Sequence, residues 1–270
     1  NITKIAIEAG IPTHSAFFNE EYVMKNLSNV KTKLILASGV FFHLEELHSV
    51  IRGINKLLSK DGVFIIQCMY WNDIMNNLQF DAIYHEHLVY YSLKSLKNLL
   101  LPYELEIFDA KRSPIHGGSV IVSVGHKGER FPTERYKELV ESDGYELADL
   151  LKFSRGIKER RGILKNLLVN IKVNNKTIYG FGSPARGNTL LNYMEIDNNL
   201  LTKMVEINPL KWGHYTPGTG IPIVNEKEND LPDYFLVLAW NFFDEMSPKI
   251  KYMRDRGVKF IIPFPEIKIY

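Results

Sequence analysis

The run Lys33-Leu34-Ile35-Leu36-Ala37, followed by Ser38-Gly39-Val40-Phe41-Phe42-His43 and then by Val63-Phe64-Ile65-Ile66-Gln67-Cys68, decides the fold. The first five residues read as a short buried strand. From Glu45 the apolar residues Leu47, Val50, Ile51, Ile54, Leu57 and Leu58 recur at helical spacing, and Lys60-Asp61-Gly62 marks the stop before a second strand over Val63–Cys68. Strand, crossover helix and strand make the unit of a parallel α/β sheet.

The pattern extends outward from there. Ser92 is placed to cap a helix carrying Leu93, Leu96, Leu99 and Leu100, which Pro102 limits. Strands over Glu104–Ala110 and Ser119–Gly125 are joined by a loop too short for a crossover helix, so they are expected to be antiparallel neighbours. Gly125–Thr133 is a polar connector, and Leu147, Leu150, Leu151, Ile157, Leu164, Leu168 and Ile171 predict a long bridging helix. A second α/β unit then follows, with strands over Thr177–Phe181, Lys203–Ile207, Tyr234–Trp240 and Lys259–Pro263 and helices near Leu190 and over Glu245–Arg256.

Composition removes several classes of function. The 270 residues are 45% hydrophobic and 24% charged, and 33 basic against 31 acidic side chains leave a formal charge of +2. So small a balance argues against a nucleic-acid or anionic-membrane surface and makes any anion site local. The single cysteine, Cys68, excludes an internal disulfide and a cysteine-ligated zinc site, and fits a cytoplasmic protein. No apolar run is long enough to span a bilayer.

Three groups of residues invite chemistry. Asp81-Ala82-Ile83-Tyr84-His85-Glu86-His87 places a phenol, two imidazoles and a carboxylate in four successive positions. The His-Glu-x-x-His spacing of a zinc protease is not met, so acid/base work by imidazole with a neighbouring carboxylate is the stronger reading. His43, at the expected carboxyl end of a parallel strand, is a ligand candidate, whereas His48 reads as structural. His116 lies beside Gly117-Gly118, where the backbone can approach closely, and reads equally as a turn residue with a satisfied side chain. Gly180-Phe181-Gly182-Ser183-Pro184-Ala185-Arg186-Gly187, with Glu206 ending the next strand, resembles a dinucleotide-binding turn, but Gly187 falls five residues after Gly182 rather than three. Arg186 is suited to bidentate oxygen recognition, with a surface arginine as the equal alternative. Lys211, Trp212, Tyr215, Trp240 and Asn241 complete the ligand candidates, although Trp240 taken alone reads rather as a core residue.

The chain resembles the sugar C-methyltransferases of deoxysugar biosynthesis, which use S-adenosylmethionine to methylate a ring carbon of a nucleotide-linked keto-sugar. The resemblance runs over essentially the whole sequence. It rests on the ordered blocks Val40-Phe41-Phe42-His43, Gln79 to Leu88 with Tyr91-Ser92-Leu93, His116-Gly117-Gly118-Ser119, Ala185-Arg186-Gly187-Asn188-Thr189-Leu190-Leu191-Asn192, Tyr215-Thr216-Pro217-Gly218-Thr219, Ile221-Pro222-Ile223 and Leu238-Ala239-Trp240-Asn241. It implies an α/β fold in which residues 1–126 form the C-terminal part of a Rossmann-like methyltransferase domain, 127–172 a helical connector and 173–270 a second Rossmann-like domain that binds the nucleotide sugar.

By the same resemblance His87 is the base, with Glu86 tuning it, Tyr84 donating or positioning, and His43 contacting cofactor or enolate. Phe17, Ser38, Gly39 and His43 would contact S-adenosylmethionine. His116, Arg186, Asn188, Lys211, Tyr215, Trp240 and Asn241 would contact the nucleotide-diphosphate keto-sugar. No metal is expected here, because the family's zinc module, like its glycine-rich cofactor loop, belongs ahead of the region corresponding to Asn1; the expectation is therefore a fragment or an incomplete cofactor site. Ala16, Ser38-Gly39, Arg186 and Gly220 depart from the residues common in the family. An NAD-dependent nucleotide-sugar enzyme and a noncatalytic nucleotide-sugar-binding remnant are the rival readings.

Overall fold

A computed structural model of the chain describes residues 2–225 and 230–270. The chain divides into two compact units, and the division is not contiguous in sequence. The first holds residues 1–68, 91–113 and 119–144, and the second holds 69–90, 114–118 and 145–270.

The first unit is built on a four-stranded sheet of β1 (Thr32–Ser38), β2 (Leu58–Met69), β3 (Leu105–Ser113) and β4 (Ser119–His126), in the order β1-β2-β4-β3. β1 and β2 are parallel, and the helix Leu47–Leu57 that joins them buries Val50, Ile51, Ile54 and Leu57, as the apolar spacing requires. The helix ends directly in β2, earlier than Lys60-Asp61-Gly62 suggested. Between the pairs Thr32↔Leu58 and Leu34↔Val63 a register irregularity absorbs Ser59 to Gly62, so the charged turn residues sit within the strand's span. β3 and β4 are antiparallel, as expected from their short loop. Ser92 caps the helix Leu93–Leu100 in a reciprocal pair with Ser95, each side chain bonding the other's backbone N–H. β1 is an edge strand, and its Leu34 and Leu36 are 51% and 64% exposed, so the expected burial of this strand is not met among the described residues.

The second unit carries a six-stranded sheet of β5 (Ile178–Phe181), β6 (Met204–Glu206), β7 (Ile223–Asn225), β8 (Tyr234–Val237), β9 (Lys259–Ile262) and β10 (Lys268–Ile269), ordered β10-β9-β8-β5-β6-β7. All neighbours are parallel except β10 on β9. Phe181, Phe235, Phe243 and Phe260 pack as a ring cluster at its centre. The helix Leu147–Val173 runs unbroken for 27 residues and buries Phe153, Ile157, Leu164, Leu168 and Ile171.

Two expectations change here. The strand expected over Tyr234–Trp240 stops at Val237, since Trp240 opens a 3-10 turn, and the helix expected over Glu245–Arg256 is two single turns, Phe243–Met246 and Lys251–Arg254. Pro248 lies between those turns and has no N–H to continue a helical ladder. Among the described residues no helix is long and apolar enough to cross a membrane.

Residues 69–90 join the second unit because their side chains are held there. Phe80 packs on Tyr193 and Phe264, Leu78 covers Gly156, and Arg160 donates to the carbonyl of Asn77 at 3.1 Å. The loop 114–118 follows them, since Gln79 Nε2 donates to the carbonyl of Gly117 at 2.7 Å.

Candidate active site

In the second unit the chain leaves the helix Trp71–Asn76, makes a 3-10 turn over Phe80–Ala82 and then presents Tyr84 to His87. His87 is buried, and its Nδ1 lies 2.7 Å from the carbonyl oxygen of Ala82. A carbonyl can only accept, so Nδ1 carries the proton and in the neutral ring the lone pair belongs to Nε2. The Tyr84 ring lies against His87 with centroids 4.2 Å apart. Burial, and after it the charge of Glu86, pushes the Tyr84 phenol above its ordinary pKa, so it remains a proton donor at neutral pH. Glu86 is exposed.

Tyr84 and His85 form one wall of a cleft of about 440 Å³. Ser183, Asn188, Lys211 and Tyr215 stand among its other walls, and the size suits a small polar ligand. Asn188 projects from the helix Ala185–Met194, and its buried amide oxygen has no hydrogen-bond partner among the described residues. Such an orphaned acceptor is costly until a donor reaches it. Lys211 Nζ donates to the carbonyl of Ser183 at 2.6 Å and stands 3.6 Å from Glu206. Tyr215 is 66% exposed.

Several expected ligand contacts belong instead to the framework behind that cleft. Arg186 forks onto both oxygens of the fully buried Asp81 at 3.0 Å each and donates to the carbonyl of His116 at 2.8 Å. Its guanidinium also lies over the Trp240 ring, 5.0 Å from the centroid, while Trp240 Nε1 donates to Asp81 at 2.9 Å. Arg186 is thus spent on Asp81, and Trp240 is a buried support rather than an open ligand face. His116 takes a left-handed backbone conformation (φ 60°) and offers its carbonyl to Arg186. Asn241 lies partly buried in the 3-10 turn after Trp240. In the sequence Asp81 is marked only as a lone carboxylate between the apolar residues Phe80 and Ala82.

The glycine turn has a similar outcome. Glu206, the acid that a dinucleotide site needs for ribose, accepts the backbone N–H groups of Ser183, Ile207 and Asn208 at 2.8–3.0 Å. Its two oxygens are committed to backbone, which disfavours the NAD reading.

The first unit holds the other expected residues. Ser38 and Gly39 end β1, where open α/β sheets bind ligands. Ser38 donates to Gln67 Oε1 at 3.1 Å, and Gly39, at φ 64°, donates to the Gln67 carbonyl at 3.0 Å. His43 closes the adjacent 3-10 turn, its ring tilted against Phe42 with centroids 4.4 Å apart. Phe17 is 93% exposed. A strand end with a glycine in a left-handed conformation and flanking polar groups fits one side of a nucleoside-bearing cofactor. Among the described residues no group of three or more His, Cys, Asp or Glu side chains is arranged to hold a metal ion.

The C-methyltransferase NovU of Streptomyces niveus is 29% identical over 283 residues, covering all of this chain, which in turn spans 66% of that protein's length. A solved structure entitled "Conversion of a Disulfide Bond into a Thioacetal Group during Echinomycin Biosynthesis" is 10% identical with a TM-score of 0.32, over 52% of this chain and 65% of that one. The family described as C-methyltransferase C-terminal domain matches residues 114–265. That match begins at the loop that joins the second unit and takes in Ser183, Asn188, Lys211 and Tyr215 of the cleft with Arg186 and Trp240 behind it, over more than half of the sequence, so the chain belongs to the C-methyltransferase family.

Proposed function

We propose that the chain serves S-adenosylmethionine-dependent methylation of a ring carbon in a nucleotide-linked keto-deoxysugar, with His87 as the base that makes that carbon nucleophilic. The observation that carries this reading is the Nδ1 bond from His87 to Ala82, which assigns the basic nitrogen to Nε2 of a ring packed on Tyr84, itself a wall of the cleft that Asn188 also lines.

A carbon next to a ketone gains an electron pair only when its proton is removed and the negative charge moves to the carbonyl oxygen. His87 Nε2 takes the proton, and Tyr84, held neutral, donates to the developing enolate oxygen. Glu86 tunes the imidazolium that results. Asn188 accepts a hydroxyl or imide N–H of the ligand, and Tyr215 offers a face for its flat part. S-adenosylmethionine supplies the electrophilic methyl group, and Ser38, Gly39 and His43 would hold it. The polar side chains set into the cleft wall, Ser183, Asn188, Lys211 and Tyr215, support the choice of a nucleotide keto-sugar.

The chain incubated with such a keto-sugar in heavy water should exchange the proton beside the ketone, followed by NMR. His87→Asn should slow that exchange by about 10²–10⁴-fold while the ligand still binds. Equal exchange in the variant removes His87 as base, and methyl transfer from labelled S-adenosylmethionine tests the remainder of the assignment.

A further inference from the structure

We propose that the buried Asp81–Arg186–Trp240 network is a positioning device that holds the Ala82 carbonyl on His87 and thereby fixes which imidazole nitrogen is basic. This deepens, and rests on, the reading of His87 as the base. Asp81 directly precedes Ala82, and both are fully buried. The turn that carries them is anchored at two places. Gln79 bonds the Gly117 carbonyl, and Asp81 is gripped by the Arg186 fork and the Trp240 indole from two other elements.

The type of anchor matters. A buried ion pair gains little over apolar packing of equal volume, but its forked geometry is directional, and removing one partner strands a buried charge. Apolar packing, which has no preferred direction, would allow the turn to slide or rotate. The fork does not, and a carbonyl that must meet Nδ1 at 2.7 Å needs that constraint. Gly117 extends the frame, since any Cβ there would enter the Trp240 ring. When the carbonyl drifts, Nδ1 loses its acceptor, and both neutral tautomers of His87 become populated.

Uniform ¹⁵N-histidine labelling of the full chain and long-range ¹H–¹⁵N correlation, at a pH where the rings are neutral, reads the tautomer directly; His87→Asn identifies the signals. The wild type should show His87 protonated on Nδ1 alone. Arg186→Met and Trp240→Phe should shift its ring nitrogens toward tautomer-averaged values, and Arg186→Lys, which keeps the cation but loses the fork, should shift them in the same direction. Should Arg186→Met not fold, Trp240→Phe decides, because it removes only the indole donor. A wild-type ring protonated on Nε2, or a pure Nδ1–H signal in folded Trp240→Phe, overturns the device. The base assignment stands or falls separately. Heavy-water exchange that persists in His87→Asn removes the base and leaves the tautomer result intact, whereas a wild-type Nε2–H tautomer alongside exchange that depends on His87 removes the positioning device alone.

Discussion

Glu206 reaches back from the end of β6 to accept the backbone N–H of Ser183 at 2.8 Å, binding the glycine turn to the neighbouring strand. Its other oxygen takes the N–H groups of Ile207 and Asn208, so one buried carboxylate satisfies three donors. Glu206→Ala leaves those donors without a protein partner, at about 1–3 kcal/mol for an unsatisfied buried group. The expected result is a lower unfolding midpoint in urea at unchanged slope. Titration of the wild type with NADH, followed by its fluorescence, should show no saturable binding; saturation would restore the dinucleotide reading.

Ser92 and Ser95 bond each other's backbone N–H at the start of the helix Leu93–Leu100. Ser92→Ala removes one half of that reciprocal cap, at a cost of about 1 kcal/mol. Denaturant unfolding should show this loss, and ligand binding in the second unit should be unchanged.

Gly117 has φ 83°, and a side chain built on it enters the Trp240 indole. Gly117→Ala therefore combines an unfavourable backbone with overpacking, worth about 1–3 kcal/mol. Near-ultraviolet circular dichroism should register a displaced tryptophan. An unchanged spectrum at unchanged stability would mean that the loop moves aside freely.

What the sequence made legible follows from how local each interaction is. The β1–β2 crossover was readable because Val50, Ile51, Ile54 and Leu57 repeat along one helix face, and Ser92 because its partner is three residues away. Arg186 was recognised as a residue suited to forked contacts, but its partner Asp81 lies 105 positions earlier, and the indole of Trp240 is 159 positions from the same carboxylate. Pairings at that separation leave no periodic trace. The membership of residues 69–90 in the second unit was hidden for the same reason, since Phe80 meets Tyr193 and Phe264 only after folding. The Tyr84–His87 cluster stood out because its reactive groups are consecutive, while the acceptor that orients His87, the Ala82 carbonyl, is backbone and carries no signature.

Arg161 and Lys165, one turn apart on the long helix, hold the Glu195 carboxyl down to about 2 through hydrogen bonds and charge. A folded-state pKa below the unfolded value contributes stability that is present above about pH 4.3 and is lost as pH falls toward 2. The Glu195 side chain is largely exposed, so the effect on stability is small. Arg161→Ala should raise the Glu195 titration midpoint, read from its side-chain carboxyl ¹³C shift. A midpoint that does not move would assign the depression to Lys165 alone.

Tyr84 offers the most direct test of how the enolate oxygen is met. Its phenol is pushed above the ordinary tyrosine range, first by burial and then by Glu86, so it stays protonated across the neutral range and has a proton to share. The same ring packs on His87, with centroids 4.2 Å apart, and a purely supporting role would need only that face. Tyr84→Phe separates the two roles because it keeps the face and deletes the donor. If the hydroxyl stabilises the oxyanion, exchange of the proton beside the ketone should fall by about 10²–10³-fold with ligand affinity little changed, since the interaction strengthens as charge develops. The wild-type exchange rate should also show no loss from phenol ionisation below about pH 10. Unaltered exchange in Tyr84→Phe would leave Tyr84 as a stacking support for His87 and transfer the donor role to His85, the other side chain of the cluster that lines the cleft.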